Sequence, residues 1–187
     1  MSGLRYEPEN WWWRSGKLAP NRCVIFDVDG VLADATHRQY LVTGSRRNWN
    51  LFFDECGKDS LIEPVATMGR MLDPDLTVIL LTARPSSVAD ITLAWLDRHD
   101  VRWDLLVMRD YGDYQLARDF KDYALHELRT FGFEPELAIE DDERNVAMFE
   151  RRGVPCLYHH SGYHLRWNCR PADEALLGSW LDASSSA

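Results

Sequence analysis

The sequence predicts an α/β fold, a doubly wound and mostly parallel five-stranded sheet with no large cap domain, and three observations carry that prediction. Strand-length apolar runs rich in β-branched residues recur at 23–26, 76–81, 105–108, 137–139 and 154–158. Between them lie stretches with a helical apolar period, the clearest being Leu116, Phe120, Ala124 and Leu128 at a spacing of four. Strand and helix alternate through the middle of the chain, which implies right-handed crossovers with helices on both faces of one sheet.

Taken in order, residues 1–21 form an N-terminal arm holding Trp11, Trp12 and Trp13 without a clean period. Such a run either packs on the domain, the ordinary use of aromatics, or offers a stacking platform for bases. Residues 22–170 make the main domain. Within it, 33–60 is a small polar, arginine-bearing insertion containing a short helix over Trp49 to Phe53, capped by Asn48. A helix follows from Leu61 to Leu72, and Pro74 breaks it before the second strand. The next helix is expected to start with a Ser87–Asp90 capping pair, to bury Val88, Ile91 and Trp95, and to run to His99. The helix from Tyr114 to Phe131 stops at Gly132, and Lys121 lies beside Phe120 at the edge of its apolar face. A helix over 144–152 precedes the last strand. Residues 171–187 read as a C-terminal helix, over 172–181, and a frayed tail.

Composition narrows the classes of function. At 187 residues the chain is long enough to bury a core without disulfides or metal staples. Hydrophobic residues make up 45% and charged residues 27%, ordinary for a globular protein. No apolar run approaches a membrane span and residues 1–20 hold no signal-peptide core, so a cytoplasmic protein is expected. Cys23, Cys56, Cys156 and Cys169 lack C-x-x-C spacing and read as reduced thiols. A net charge of −9 argues against non-specific binding along a nucleic-acid backbone, while leaving room for a local basic crevice.

The chemistry concentrates at the strand ends. In the stretch CVIFDVDGVL, residues 23–32, Asp27 and Asp29 close the first strand two residues apart. Side chains at i and i+2 of an extended chain point the same way, so both carboxylates are expected to face one crevice. Gly30 lets the backbone turn and something approach closely. Two carboxylates on a rigid strand end suit a hard cation, or nucleophilic and acid/base work. In a doubly wound sheet the ligand crevice lies beyond the carboxyl ends of the strands. Those ends carry Asp27 and Asp29, Thr82 and Arg84, Arg109, and Asp141 and Asp142, the last two in a run of three acids that opens with Glu140. Taken singly, Thr82 reads as a turn residue, Lys121 as a solvated charge, and the three acids as a cap for the next helix.

Their order along the chain is more specific than any one of them. VIFDVDG, VILLTAR, Lys121 within RDFKDYALHEL, and LAIEDDERN together resemble the four motifs of the haloacid dehalogenase-like phosphohydrolase superfamily, over residues 23–158. Within it, LLVMRD, GDYQLARDFKDYALHEL and LAIEDDERNVAMFERRGVPC, followed by Ser161 and Gly162, resemble the 3′-phosphatase domain of polynucleotide kinase/phosphatases. The resemblance implies a phosphomonoester hydrolase in which Asp27 attacks phosphorus to form an aspartyl-phosphate. Asp29 would protonate the leaving oxygen and then activate water, Thr82 would bind a phosphate oxygen, and Lys121 would neutralise charge. It also implies magnesium, Mg2+, held by Asp27, the backbone carbonyl of Asp29 and Asp141, with Asp142 and Asn145 orienting the metal's waters. Asn145 departs from a pattern in which many members carry a second acid. A nucleotide-kinase half is not seen, since the chain contains no G-x-x-x-x-G-K-[ST]. A separate kinase or ligase is therefore a candidate partner.

An uncapped crevice suits the end of a long substrate, and Arg38, Arg46, Arg47, Arg84 and Arg109 are expected to make its rim basic, with Arg84 and Gly30 against the substrate. Two other readings compete. The insertion at 46–56 can serve a small-molecule phosphatase or nucleotidase as a partial lid. A phosphoacceptor signalling module also groups acids, Thr and Lys on a parallel sheet, but there the acid pair is adjacent and the phosphorylated Asp follows a later strand. Finally, Cys156, His159, His160, His164 and Cys169 have the residue types of a zinc site without its spacing, and read instead as loop residues near the crevice mouth.

Overall fold

The computed structural model describes residues 8–43 and 45–164. In chain order the elements are β1 (Trp11–Trp13), β2 (Arg22–Phe26), β3 (Ala33–Asp34), α1 (Trp49–Asp54), β4 (Ser60–Leu61), α2 (Glu63–Met71), β5 (Thr77–Pro85), α3 (Ala89–Arg98), β6 (Leu105–Arg109), α4 (Ala117–Phe131), β7 (Glu134–Glu140), α5 (Glu143–Arg151) and β8 (Cys156–Tyr158). The C-terminal helix expected over 172–181 and Cys169 lie outside the described residues.

The main sheet has six strands, in the order β1-β6-β5-β2-β7-β8. Five are parallel, as expected. The sixth is β1, which pairs antiparallel with β6 through Trp11↔Val107 and Trp13↔Leu105. A three-residue strand shows no alternation to read, so it was invisible in the pattern. The tryptophan run thereby covers a sheet edge: Trp11 packs 4.9 Å from the Phe131 ring and 6.3 Å from Phe133, centroid to centroid. It is packing material, not a base platform.

Alternation along β2 explains the two layers. Val24 and Phe26 face the layer containing α2 and α3, with Val65, Ala66, Trp95 and Leu96. Cys23 and Ile25 face α4 and α5, with Phe120, Ala124, Leu128, Met148 and Phe149. Helix α4 ends at Gly132 with φ +100°, the left-handed conformation that stops a helix. Asn48 caps α1, its side chain accepting from the Leu51 amide. The expected Ser87–Asp90 cap does not form: a 3-10 turn over Ser86–Val88 leads into α3, whose buried face is Thr92, Trp95 and Leu96, leaving Ile91 largely exposed. Among the described residues no helix is long and apolar enough to cross a membrane.

Candidate active site

Phe26 ends β2 between β5 and β7, so the residue after it emerges at the centre of the sheet's carboxyl rim. Asp27 continues the strand by donating its amide to the Ile139 carbonyl at 3.0 Å. On the α4 side, Lys121 reaches up from the helix, and its Nζ lies 2.8 Å from Asp27 Oδ2 and 2.6 Å from Glu140 Oε2. Lys121 is only 1% exposed, so the position at the edge of the apolar face is a buried one. Its ammonium is buried because two carboxylates meet it, and they raise its proton affinity against the opposing effect of burial.

Glu140, not foreseen as a site residue, is committed on both oxygens. Oε2 accepts from Lys121, while Oε1 accepts from the amides of Asp141 and Asp142 and from Asn145 Nδ2. It anchors Lys121 and shapes the turn that follows β7. The sequence shows it only as the first acid after the apolar run 137–139; the register that sets Ile139 against Phe26, and so Glu140 beside Asp27, is seen in the structure.

Asp27, Glu140 and Asp141 offer carboxylate oxygens within 4.8 Å of one another, all three residues buried. One lysine faces three acids. Asp141 Oδ2 is buried and accepts no hydrogen bond among the described residues, with His164 Nε2 3.5 Å away. Burial, and then the neighbouring Glu140, push the Asp27 carboxyl well above the usual carboxylate range despite Lys121. A buried, oxygen-only cluster of three acids, with Lys121 on two of them and only His164 at 3.5 Å from the third, fits a hard divalent cation such as magnesium.

Asp142, expected to orient the metal's waters, is engaged at the start of α5. It caps α5 by accepting from the Arg144 amide at 2.9 Å and pairs with the Arg144 guanidinium at 2.6 Å. The capping reading of the acid triplet applies to this member, because the N-terminus of a helix attracts the carboxylate next to it. Asn145, expected near the metal's waters, gives its amide N–H to Glu140 of the cluster, and its Oδ1 is buried without a partner among the described residues.

Asp29 has different partners from Asp27. Gly30 turns the chain with φ +80° and donates its amide to the Ala33 carbonyl. Asp29 Oδ1 then meets Arg38 Nη2 at 2.5 Å and Arg84 Nη2 at 2.6 Å. Both guanidiniums also hold Asp59, at 2.6 Å and 2.9 Å, and Arg84 Nη1 reaches Thr92 Oγ1. The two carboxylates of the i, i+2 pair thus have separate partners: Asp27 meets Lys121, while Asp29 Oδ1 is held by the two arginines. The expectation that Arg38 and Arg84 line an open basic rim is corrected. Both are 0% exposed, since two buried carboxylates draw them inward. Arg38 and Asp59 thereby tie the two ends of the insertion to Asp29 and Arg84.

Burial alone would raise the Asp29 carboxyl, but Arg84 and Arg38 outweigh it and hold it down at about 2. The folded-state value lies below the ordinary 3.8, so this stability is present above about pH 4 and is lost as pH falls from there towards 2. Arg84→Ala leaves Asp29 and Asp59 sharing one guanidinium and is expected to cost about 3 kcal/mol of unfolding free energy. Urea titration at neutral pH checks this; a loss under about 1 kcal/mol would mean that the clamp is not a stability element.

Thr82 is 1% exposed; its Oγ1 accepts from the Arg84 amide at 3.2 Å, leaving the hydroxyl proton free to donate. The register shift between Thr82 and Pro85 in the pairing with β6 lets this segment bend at the rim. What approaches Gly30 closely is Asp141: a Cβ at Gly30 would lie 2.0 Å from Asp141 Oδ2. His159 Nδ1 meets the Gly30 carbonyl at 2.7 Å from the other side. His159 and His164 thus serve the acid turn, and the cation cluster found among the described residues contains neither.

A carboxylate–lysine–carboxylate arrangement at the carboxyl rim of a parallel α/β sheet groups the chain with the haloacid dehalogenase-type hydrolases. A solved haloacid dehalogenase-like hydrolase from Streptococcus pneumoniae shares the fold at 14% identity and TM-score 0.51, over 80% of this chain and 91% of its own. More narrowly, residues 21–163 match the family described as the phosphatase domain of polynucleotide kinase PNKP, and the chain belongs to that family. A chain in the structure of a Pnkp1/Rnl/Hen1 complex is similar at 27% identity and TM-score 0.62, covering 78% of this chain and 48% of that one. One in the Pnkp1/Rnl/Hen1 RNA repair complex is similar at 26% and 0.62, covering 82% and 46%. This chain therefore spans about half the length of those two. No curated protein matches it.

Proposed function

We propose that the chain is a magnesium-dependent phosphatase that removes the 3′-phosphate from nucleic-acid ends through an aspartyl-phosphate on Asp27. The observation that carries this reading is the 2.8 Å contact of Asp27 with the buried Lys121, next to the orphaned oxygen of Asp141. A carboxylate attacks an anionic phosphate only where positive charge offsets the repulsion. Lys121 supplies one such charge as a fixed ammonium, and Glu140 holds it in position. Asp27 and Asp141 would hold magnesium, which when bound screens the phosphate and polarises it. Thr82 donates its free hydroxyl proton to a phosphate oxygen.

Asp29 takes the acid/base role. Its two arginines keep it ionised and make it a weak base by itself, so the proton of the hydrolytic water passes to it only where a phosphate beside it raises its proton affinity. A phosphate dianion seated beside it raises its proton affinity by like-charge repulsion, which loads the proton needed by the leaving oxygen. The 3′-end specificity rests on family membership. A separate kinase or ligase would then process the ends this protein produces, in keeping with the repair complex in which a similar chain occurs.

Three substrates test the reading: a 3′-phosphorylated oligonucleotide, its 5′-phosphorylated counterpart, and a 3′-mononucleotide. The expected order of kcat/KM is the 3′-oligonucleotide first and the 5′-oligonucleotide far behind. Equal turnover of the mononucleotide and the 3′-oligonucleotide would favour the small-molecule phosphatase instead.

A further inference from the structure

With Arg38 and Arg84 buried under Asp29, the strand ends retain one arginine of a different kind. Arg109 closes β6 opposite Pro85 and is half-buried. Its Nη1 donates to the Gln115 carbonyl at 3.1 Å, its Nε is buried without an acceptor, and among the described residues no carboxylate forms an ion pair with it. The loop it holds, residues 110–116, is closely tied. Tyr111 donates its amide to Ser86 Oγ, Asp113 its amide to the Asp110 carbonyl, and Gln115 its amide to Asp113 Oδ1. A loop so restrained nevertheless leaves Tyr111 77% and Tyr114 91% exposed.

Two exposed aromatic side chains thus sit on a pinned loop that follows Arg109 at the carboxyl end of β6, the same rim as Asp27. Strand β6 lies two places from β2 in the sheet, about 10 Å away at ordinary strand spacing. Ser86, which holds Tyr111, follows directly on the strand that ends with Thr82 and Arg84.

We propose that Tyr111 and Tyr114 form a stacking platform for the bases next to a single-stranded 3′ end, with Arg109 facing the phosphate that joins them. The proposal rests on the 3′-end reading and deepens it. Rings stack on any base, so the platform is sequence-tolerant, and tyrosine gives up little side-chain freedom on binding. Stacking needs no basic surface, which reconciles nucleic-acid binding with a net charge of −9. The exposed Asp110 beside Tyr111 repels backbone phosphates, so bases and not backbone turn towards the rings. Base faces are hidden in a duplex, hence the single-strand requirement.

The test compares wild type with the double variants Tyr111→Ala/Tyr114→Ala and Tyr111→Phe/Tyr114→Phe. Substrates are a single-stranded 3′-phosphorylated oligonucleotide, the same oligonucleotide with abasic sites next to its 3′ end, and a 3′-mononucleotide. The ratio of kcat/KM for oligonucleotide over mononucleotide is expected to fall about tenfold in the alanine variant and to be kept in the phenylalanine one. Abasic sites should lower wild type to the same extent and the alanine variant no further. A wild-type preference that survives both alanines overturns the platform while leaving the 3′-end reading intact, as does its loss in the phenylalanine variant. If wild type itself does not prefer the oligonucleotide, both fall.

Discussion

Asp27→Asn is expected to lower turnover by at least about a thousandfold, because the amide keeps the volume of the side chain and loses its anionic nucleophile. The same substitution should not destabilise the fold. Lys121 retains Glu140 at 2.6 Å, so its ammonium remains paired. The Asp27 carboxyl is pushed up by burial and by Glu140. A folded-state value above the ordinary 3.8 means that the ionised form costs stability once pH exceeds that value, and increasingly so up to the folded-state value. In metal-free buffer at neutral pH the asparagine variant should therefore melt at or above the wild-type temperature. A variant that melts well below wild type would mean that its inactivity reflects unfolding, and wild-type turnover in a preparation free of contaminating phosphatase would remove Asp27 as nucleophile.

The second large effect concerns Asp141. Magnesium should raise the melting temperature of the wild-type protein, since a cation binding only the folded state stabilises it in proportion to RT ln(1 + [L]/Kd). Asp141→Ala removes the carboxylate with the orphaned oxygen and should abolish most of that rise, together with a sharp increase in the magnesium needed for turnover. Calcium should inhibit, because it takes a larger and less regular oxygen shell than the octahedral one. Full activity in excess chelator, or an undiminished thermal shift in Asp141→Ala, would contradict a cation between Asp27 and Asp141.

The layered α/β architecture was legible because buried strands and amphipathic helices carry the two periods that set it, and the run at 23–26 with Asp27 behind it needed only its apolar character. The pairing of Lys121 with Asp27 could be reached only through the order of motifs, since a lysine at the margin of an apolar face is usually solvated. Three features were out of reach of local pattern. The partners of Asp29, the arginines 9 and 55 residues away, are set by long-range packing that no local pattern announces. Arg38 and Arg84 look like surface cations in the sequence, yet the buried Asp59, 21 and 25 residues from them, draws both inward. Glu140 and Asp142 are chemically interchangeable in a run of acids; which one meets Lys121 and which one caps α5 is decided by where β7 ends and α5 begins.

The central claim is that a 3′-phosphoryl group passes to Asp27 before water takes it. Its most direct measurement is an acid quench during turnover of an oligonucleotide radiolabelled in its 3′-phosphate, followed by peptide mapping. Label is expected on the peptide containing Asp27, released by hydroxylamine as an acyl phosphate should be, absent from Asp27→Asn and absent when the label is in a 5′-phosphate. Label on another residue, or steady turnover of the 3′-phosphate with none on the protein at any quench time, would contradict it.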